Sequence, residues 1–166
     1  MQYISIPEER LGVLLKSKRE IENKTGTKIT VQDTQVSIDG DALNEWIARD
    51  IVEAIGSGFE PNIALTLLNE NQIFELISIK DFSTSKKDFE RRKSRIIGTK
   101  GKVIRNLERL TQTKIRVHDK TVGIIGSHED VHLAKEAILS ILSGSKHSTA
   151  YRMIEKELKR RELFEF

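Results

Sequence analysis

The sequence predicts an α+β protein built from two similar units and a C-terminal helix. Each unit is ordered β-α-α-β-β-α, with a three-stranded antiparallel sheet packed on helices. Three observations predict it. Shifting the chain by 86 residues lays Gly12–Ile55 on Gly98–Ile141 without a gap, and about a third of the positions are identical. Each copy holds two short segments of strand-like alternation, Lys28–Val31 with Gln35–Asp39 and Ile115–Val117 with Val122–Ile125. Each pair of strands is followed by a stretch with the apolar spacing of an amphipathic helix.

In the first copy, Gln2–Ile6 reads as a strand, and Pro7 suits the first turn of a short helix ending near Leu14. A second helix is expected from Lys16 to Lys24, then the strand pair. Asp41 is the expected N-cap of a last helix whose inner side carries Leu43, Ile47, Ile51, Val52 and Ile55. Gly56-Ser57-Gly58 punctuates the chain, and Pro61–Asn69 reads as a short apolar helix. In the second copy Ile73–Ile79 supplies the first strand, Ser85 caps a longer basic helix, and another helix starts after Gly101. Ser127 and Asp130 have the spacing of a capping box opening the last helix, through Val131, Ala134, Ile138 and Ile141. A further amphipathic basic helix is expected from Ser148 to Glu162. The expected divisions are 1–57 for the first unit, 58–72 for a connecting helix, 73–145 for the second unit and 146–166 for the C-terminal basic helix.

Charge is segregated along this chain. Net charge is +3 overall, but residues 86–120 carry 13 Lys/Arg against 4 Asp/Glu, whereas residues 1–85 carry 8 against 14. A basic block on an otherwise acidic protein is an electrostatic footprint for a polyanion. With no cysteine, disulfides and thiolate metal sites are excluded. No apolar run approaches the roughly 18 residues of a bilayer span, and MQYISIPEER lacks a signal-peptide pattern. The expectation is a cytoplasmic protein with no membrane partner.

The basic block coincides with Gly98-Thr99-Lys100-Gly101. Glycines separated by two small or cationic residues allow another backbone to approach closely, and a helix start aims free N–H groups at an anion. A Gly-x-x-Gly loop gripping a nucleotide backbone is the signature of the KH RNA-binding module, so the two units read as tandem type I KH domains. Lys100 and Lys102 are placed to neutralise phosphates, and Arg105 to reach a phosphate or a base edge. With Ile97 and Arg116, these residues form the expected single-stranded RNA site: Ile97, Gly98, Thr99, Lys100, Gly101, Lys102, Arg105 and Arg116. In the first copy Gly12-Val13-Leu14-Leu15 stands at the same place. It lacks the second glycine and the lysine, so that unit reads as degenerate, with Val13–Leu15 needing burial or a partner.

No catalytic residues, metal ligands or cofactor are expected, and the protein reads as non-enzymatic. His128-Glu129-Asp130-Val131-His132 spells the zinc-protease pattern HExxH, but it lies at a helix start with no obvious third ligand. Zinc chemistry therefore stands as a minor alternative, and a protein-interaction scaffold as the main one.

The chain resembles the archaeal two-KH-domain ribosomal RNA-processing proteins, the family of the partner of Nob One or dimethylase-interacting small-subunit assembly factor. The resemblance rests on Arg95–Gly126, on His147-Ser148-Thr149-Ala150-Tyr151-Arg152, and on the linker running from Gly58-Phe59 through Pro61 to Leu67-Leu68. It implies binding to the 3′ region of small-subunit rRNA, mainly by the second KH domain. It also implies cooperation with the maturation endonuclease and contact with the alpha subunit of translation initiation factor two.

Overall fold

The computed structural model describes residues 1–165; Phe166, the end of the expected 146–166 segment, lies outside the described residues. The chain forms two compact units, Met1–Phe74 and the residues from Glu75 onward. Segment 58–72 falls within the first of them.

In the first unit β1 (Gln2–Ser5) leads through a 3-10 turn (Glu8–Arg10) into α1 (Leu11–Thr25). There follow β2 (Lys28–Gln32), β3 (Gln35–Asp39), α2 (Ala42–Gly56), and the short α3 (Pro61–Ala64) continued by a 3-10 turn, Leu65–Leu68. The sheet order is β1-β3-β2, all antiparallel, with Val36 and Ile38 of the central strand fully buried. β4 (Gln72–Ser78) crosses into the second unit, where α4 (Lys86–Ile97), α5 (Lys102–Thr111), β5 (Lys114–His118), β6 (Thr121–Ser127) and α6 (His128–Leu142) follow, and the sheet order is β4-β6-β5. α7 (His147–Leu163) packs on α5 and α6 through buried Ala150 and Ile154, and Arg161 reaches back to Asp130 at 2.8 Å. Among the described residues no helix is long and apolar enough to cross a membrane.

Three expectations are corrected. The two helices expected around Gly12–Leu15 are one continuous α1, because Leu15 offers none of the left-handed freedom of its counterpart Gly101 and a run of ordinary φ values continues the helix. Asp41 precedes α2 without capping it by its side chain; Glu45, one turn in, accepts the Gly40 N–H at 3.1 Å instead. Leu43 is 72% exposed, so the buried face of α2 begins at Glu45 and Ala48.

Several residues identical in the two copies make matching bonds. The Thr25 hydroxyl donates to the Ile21 carbonyl at 2.7 Å, so it must accept from Thr27, 2.7 Å away. Thr111 repeats this with Leu107 and Thr113 at the same distances. Glu22 accepts the Ile29 N–H at 2.9 Å, and Glu108 the Ile115 N–H at 3.1 Å. A Cβ on Gly40 or on Gly126 would lie 2.9 Å from the methyl of Thr27 or Thr113, which explains both glycines. Each strand pair closes through a two-residue turn whose first residue, Asp33 (φ 56°) or Asp119 (φ 50°), is left-handed, a conformation aspartate tolerates.

The correspondence also runs past Ile55. Gly58 and Gly144 both have φ 106°. Arg10 bridges the Ile55 and Phe59 carbonyls, each at 2.8 Å, and Arg95 bridges their counterparts Ile141 (3.2 Å) and Ser145 (2.7 Å). In both units an arginine thus satisfies carbonyls left open at the end of the last helix and sits at the negative end of its dipole.

Candidate nucleic-acid interface

The basic helix α4 is fixed at its start. Ser85 Oγ accepts the Asp88 N–H at 3.1 Å, and Asp88 accepts the Thr84 N–H at 3.0 Å, a variant of the capping box. The Asp88 carboxylate also takes Arg92 Nε at 2.9 Å and pairs with Arg91. The Arg92 bond first, then the Thr84 amide, hold its pKa at about 2 against an ordinary 3.8, in opposition to burial. Arg92 further donates to the Leu142 carbonyl. Arg92 and Arg95, both counted in the basic block, therefore hold α4 to the end of α6.

α4 stops at Gly98, whose N–H still reaches Ser94 O at 2.8 Å while its own φ of 75° and ψ of 174° leave the helix. An alanine Cβ there would lie 2.4 Å from Val103 Cγ2 and 2.9 Å from the Val103 nitrogen. Lys100 (φ 55°) and Gly101 (φ 75°, ψ 16°) are left-handed, and Gly101 N–H closes the turn on Gly98 O at 3.2 Å. Three of the four loop residues thus have positive φ, and α5 begins directly behind them with no side chain capping its first N–H groups. Lys100 and Lys102 are exposed and have no ion-pair partner among the described residues.

Of the expected site residues, Ile97 to Lys102 form one continuous edge, with Ile97 half-buried above fully buried Ile96. Arg105 folds back on the loop, donating Nη1 to Lys100 O at 2.5 Å. Arg116 on β5 is tied to α5: its Nη1 lies 3.2 Å from Glu108 Oε2 and 2.9 Å from Ile115 O. Among the described residues no group of three or more His, Asp or Glu could hold a metal ion, and His132 of the HExxH stretch pairs with Glu136 at 3.0 Å.

Residue order alone did not reveal what stands beside the loop. α7 returns so that its first turns, with α4, α5 and the loop, enclose an open groove of about 650 Å³. His147 Nε2 donates to the Arg95 carbonyl at 2.9 Å, and Asn106 Nδ2 to the Tyr151 hydroxyl at 3.4 Å. The only sequence signal for this was the His147–Arg152 segment, which carried a resemblance but no position.

A family model described as KH_PNO1_2nd, a eukaryotic type KH-domain (KH-domain type I), matches residues 73–159. The KH domain-containing protein MJ0443 of Methanocaldococcus jannaschii is 40% identical, across 95% of this chain and 74% of that protein. RNA-binding protein pno1 of Drosophila melanogaster is 34% identical across 67% of this chain. The chain spans about half the length of the fly relatives it matches, 47–48%. Among solved structures, Dim2p from Pyrococcus horikoshii superposes with a TM-score of 0.85 at 38% identity, covering 93% of this chain and 98% of that one. A crystal structure of an a/eIF2alpha-aDim2p-rRNA complex from the same organism matches with TM-score 0.86 at 38% identity, covering 96% and 94%.

Proposed function

Because this chain belongs to the PNO1/Dim2 family of KH-domain pre-rRNA-processing proteins, we propose that it is an RNA-binding assembly factor of the small ribosomal subunit. Its role is in maturation of the 3′ end of small-subunit rRNA, and it is not an enzyme. The units are tandem type I KH domains, the first degenerate. Single-stranded RNA is gripped mainly by the second, through Ile97 to Lys102 with Arg105 and Arg116, and the work is cytoplasmic. The maturation endonuclease and the alpha subunit of translation initiation factor two are the protein partners; the Pyrococcus horikoshii a/eIF2alpha-aDim2p-rRNA complex supports the latter.

One observation carries this reading: the loop of the second unit holds three positive-φ residues and unpaired Lys100, with unpaired Lys102 directly behind it, while its counterpart in the first unit is uninterrupted helix. Thr99 and Lys100 are exposed, and aspartate accepts the left-handed backbone at 100. Replacing both with Asp is therefore expected to leave the fold intact and nearly abolish affinity for single-stranded RNA. Unchanged affinity in a salt-controlled titration sinks the reading.

A scaffold role has its own supporting observation on the first unit, where Leu43 and Trp46, one turn apart on α2, are 72% and 53% exposed. The Val13–Leu15 stretch offers less than expected, since Leu14 is fully buried and only Leu15 is exposed. Pull-downs that survive nuclease and the loop substitutions favour this role.

A further inference from the structure

The groove between α4, α5 and α7 shares its rim with the loop, because Gly98 and Thr99 line it. Its charged lining is of one sign. Arg91 and Arg95 contribute from α4 and Lys102 from α5, and among the described residues no carboxylate lines the groove. Asp88, which pairs with Arg91, also pairs with Arg92, so one carboxylate is shared between two guanidiniums and positive charge remains. Arg91 is 71% exposed. α7 adds neutral recognition groups. The Tyr151 hydroxyl oxygen takes the Asn106 N–H, so its own proton stays available to donate, with no acceptor among the described residues. A half-buried phenol beside cations is a platform for a base as well as a donor to a phosphate.

We propose that this groove is a second RNA subsite. It would hold one nucleotide beyond those gripped by the loop, its phosphate beside Lys102 and Arg91 and its base or sugar against Tyr151. The proposal rests on the reading of the loop as an RNA clamp. It adds that the C-terminal helix lengthens the RNA footprint past the four nucleotides that a Gly-x-x-Gly loop clamps. A strand crossing the loop meets the positively charged groove directly, since both share Gly98 and Thr99 and Lys102 stands beside them.

The test is the full chain titrated with uridine-rich single-stranded RNAs of four and eight nucleotides, the shorter followed by NMR shifts. The wild type is compared with an Arg91→Glu/Ser94→Glu double variant, both positions exposed and outside the loop, and with Tyr151→Phe, which keeps the ring and removes only the hydroxyl. The wild type is expected to bind the eight-mer at least tenfold more tightly than the four-mer. The double variant should bind the four-mer normally and lose most of that gain. Its log–log salt slope on the eight-mer should be shallower by about 0.7 for each phosphate contact removed. Tyr151→Phe is expected to lose roughly threefold on the eight-mer alone, the scale of one hydrogen bond. 4-Thiouridine at the terminal positions should crosslink to α7 peptides. Normal four-mer binding with an undiminished length gain overturns the subsite and leaves the clamp standing. Failure of the wild type to bind either RNA overturns both.

Discussion

Substituting the two loop glycines separates roles that the spelling Gly-x-x-Gly treats as one. At Gly98 a φ of 75° with ψ of 174° is a backbone region essentially restricted to glycine, and an alanine there costs of order 1–3 kcal/mol. Its Cβ also lies 2.4 Å from Val103 Cγ2 and 2.9 Å from Val103 N. The methyl can turn away, but the backbone nitrogen cannot. Together the terms make Gly98→Ala cost about 3 kcal/mol. At Gly101 the left-handed conformation costs alanine about 1 kcal/mol, and the nearest atom is the flexible Arg105 Nη1 at 3.2 Å. With a urea m-value of about 1.5 kcal/mol per molar, the midpoint falls by about 2 M for Gly98→Ala and by under about 1 M for Gly101→Ala. Circular dichroism reads the transition. Fluorescence of Trp46, the chain's single tryptophan, reports the first unit as an internal control. Equal losses for the two variants refute the packing argument.

The remaining expectations concern stability. Gln112 ends α5 at φ 59°, where its counterpart Gly26 ends α1 at φ 69°; Gln112→Gly should stabilise the second unit by about 0.5–1 kcal/mol in urea unfolding. Arg95→Lys, unable to bridge two carbonyls with a fork, should cost about 1–2 kcal/mol by the same measurement. Thr111→Val leaves the buried Thr113 hydroxyl without its acceptor and should cost about 1–2 kcal/mol, and Thr25→Val should do the same through Thr27 in the first unit. Asp88 titrates at about 2 in the folded chain against an ordinary 3.8, so between these values the unfolded chain binds the extra proton. Its contribution is full above about pH 4 and is lost as pH falls toward 2. The stability gap between wild type and Asp88→Asn should be constant at neutral pH and close over that acid window.

The parts of the fold legible in the sequence were those written in local pattern. Strand alternation and the Ser85 and Ser127 caps depend on neighbours within a few residues, and the structure has them there. The helix break wrongly expected in the first unit came from copying one unit's plan onto the other, whereas the Asp41 cap and the inward Leu43 were misread from local pattern alone. Position by position Gly12–Leu15 aligns with the loop, yet what interrupts the helix is positive φ at 98, 100 and 101, which Leu14 and Leu15 do not adopt. The loop residues could be read because glycine freedom and charge sit on consecutive positions. Arg92 and Arg95 misled because the carbonyls they hold lie 46 to 50 residues away, a distance at which charge counting cannot separate a brace from a binding residue. Arg10 and Arg95 serve equivalent carbonyls from positions one residue out of register, so even the gapless repeat concealed their likeness. The groove on α7 needed the tertiary return of a helix that follows the last strand.

Leu14 shows what the first unit gains at the place where the second unit has its loop. It is fully buried where its counterpart Lys100 is exposed, and burying a leucine is worth about 1.5–3 kcal/mol. Placing Gly at 15 alone would cost α1 about 1 kcal/mol without supplying a cation, and placing Lys at 14 alone would force a charge into the core. Neither single change toward the second unit's loop is neutral, so the uninterrupted helix of the first unit is locked in place by its own core.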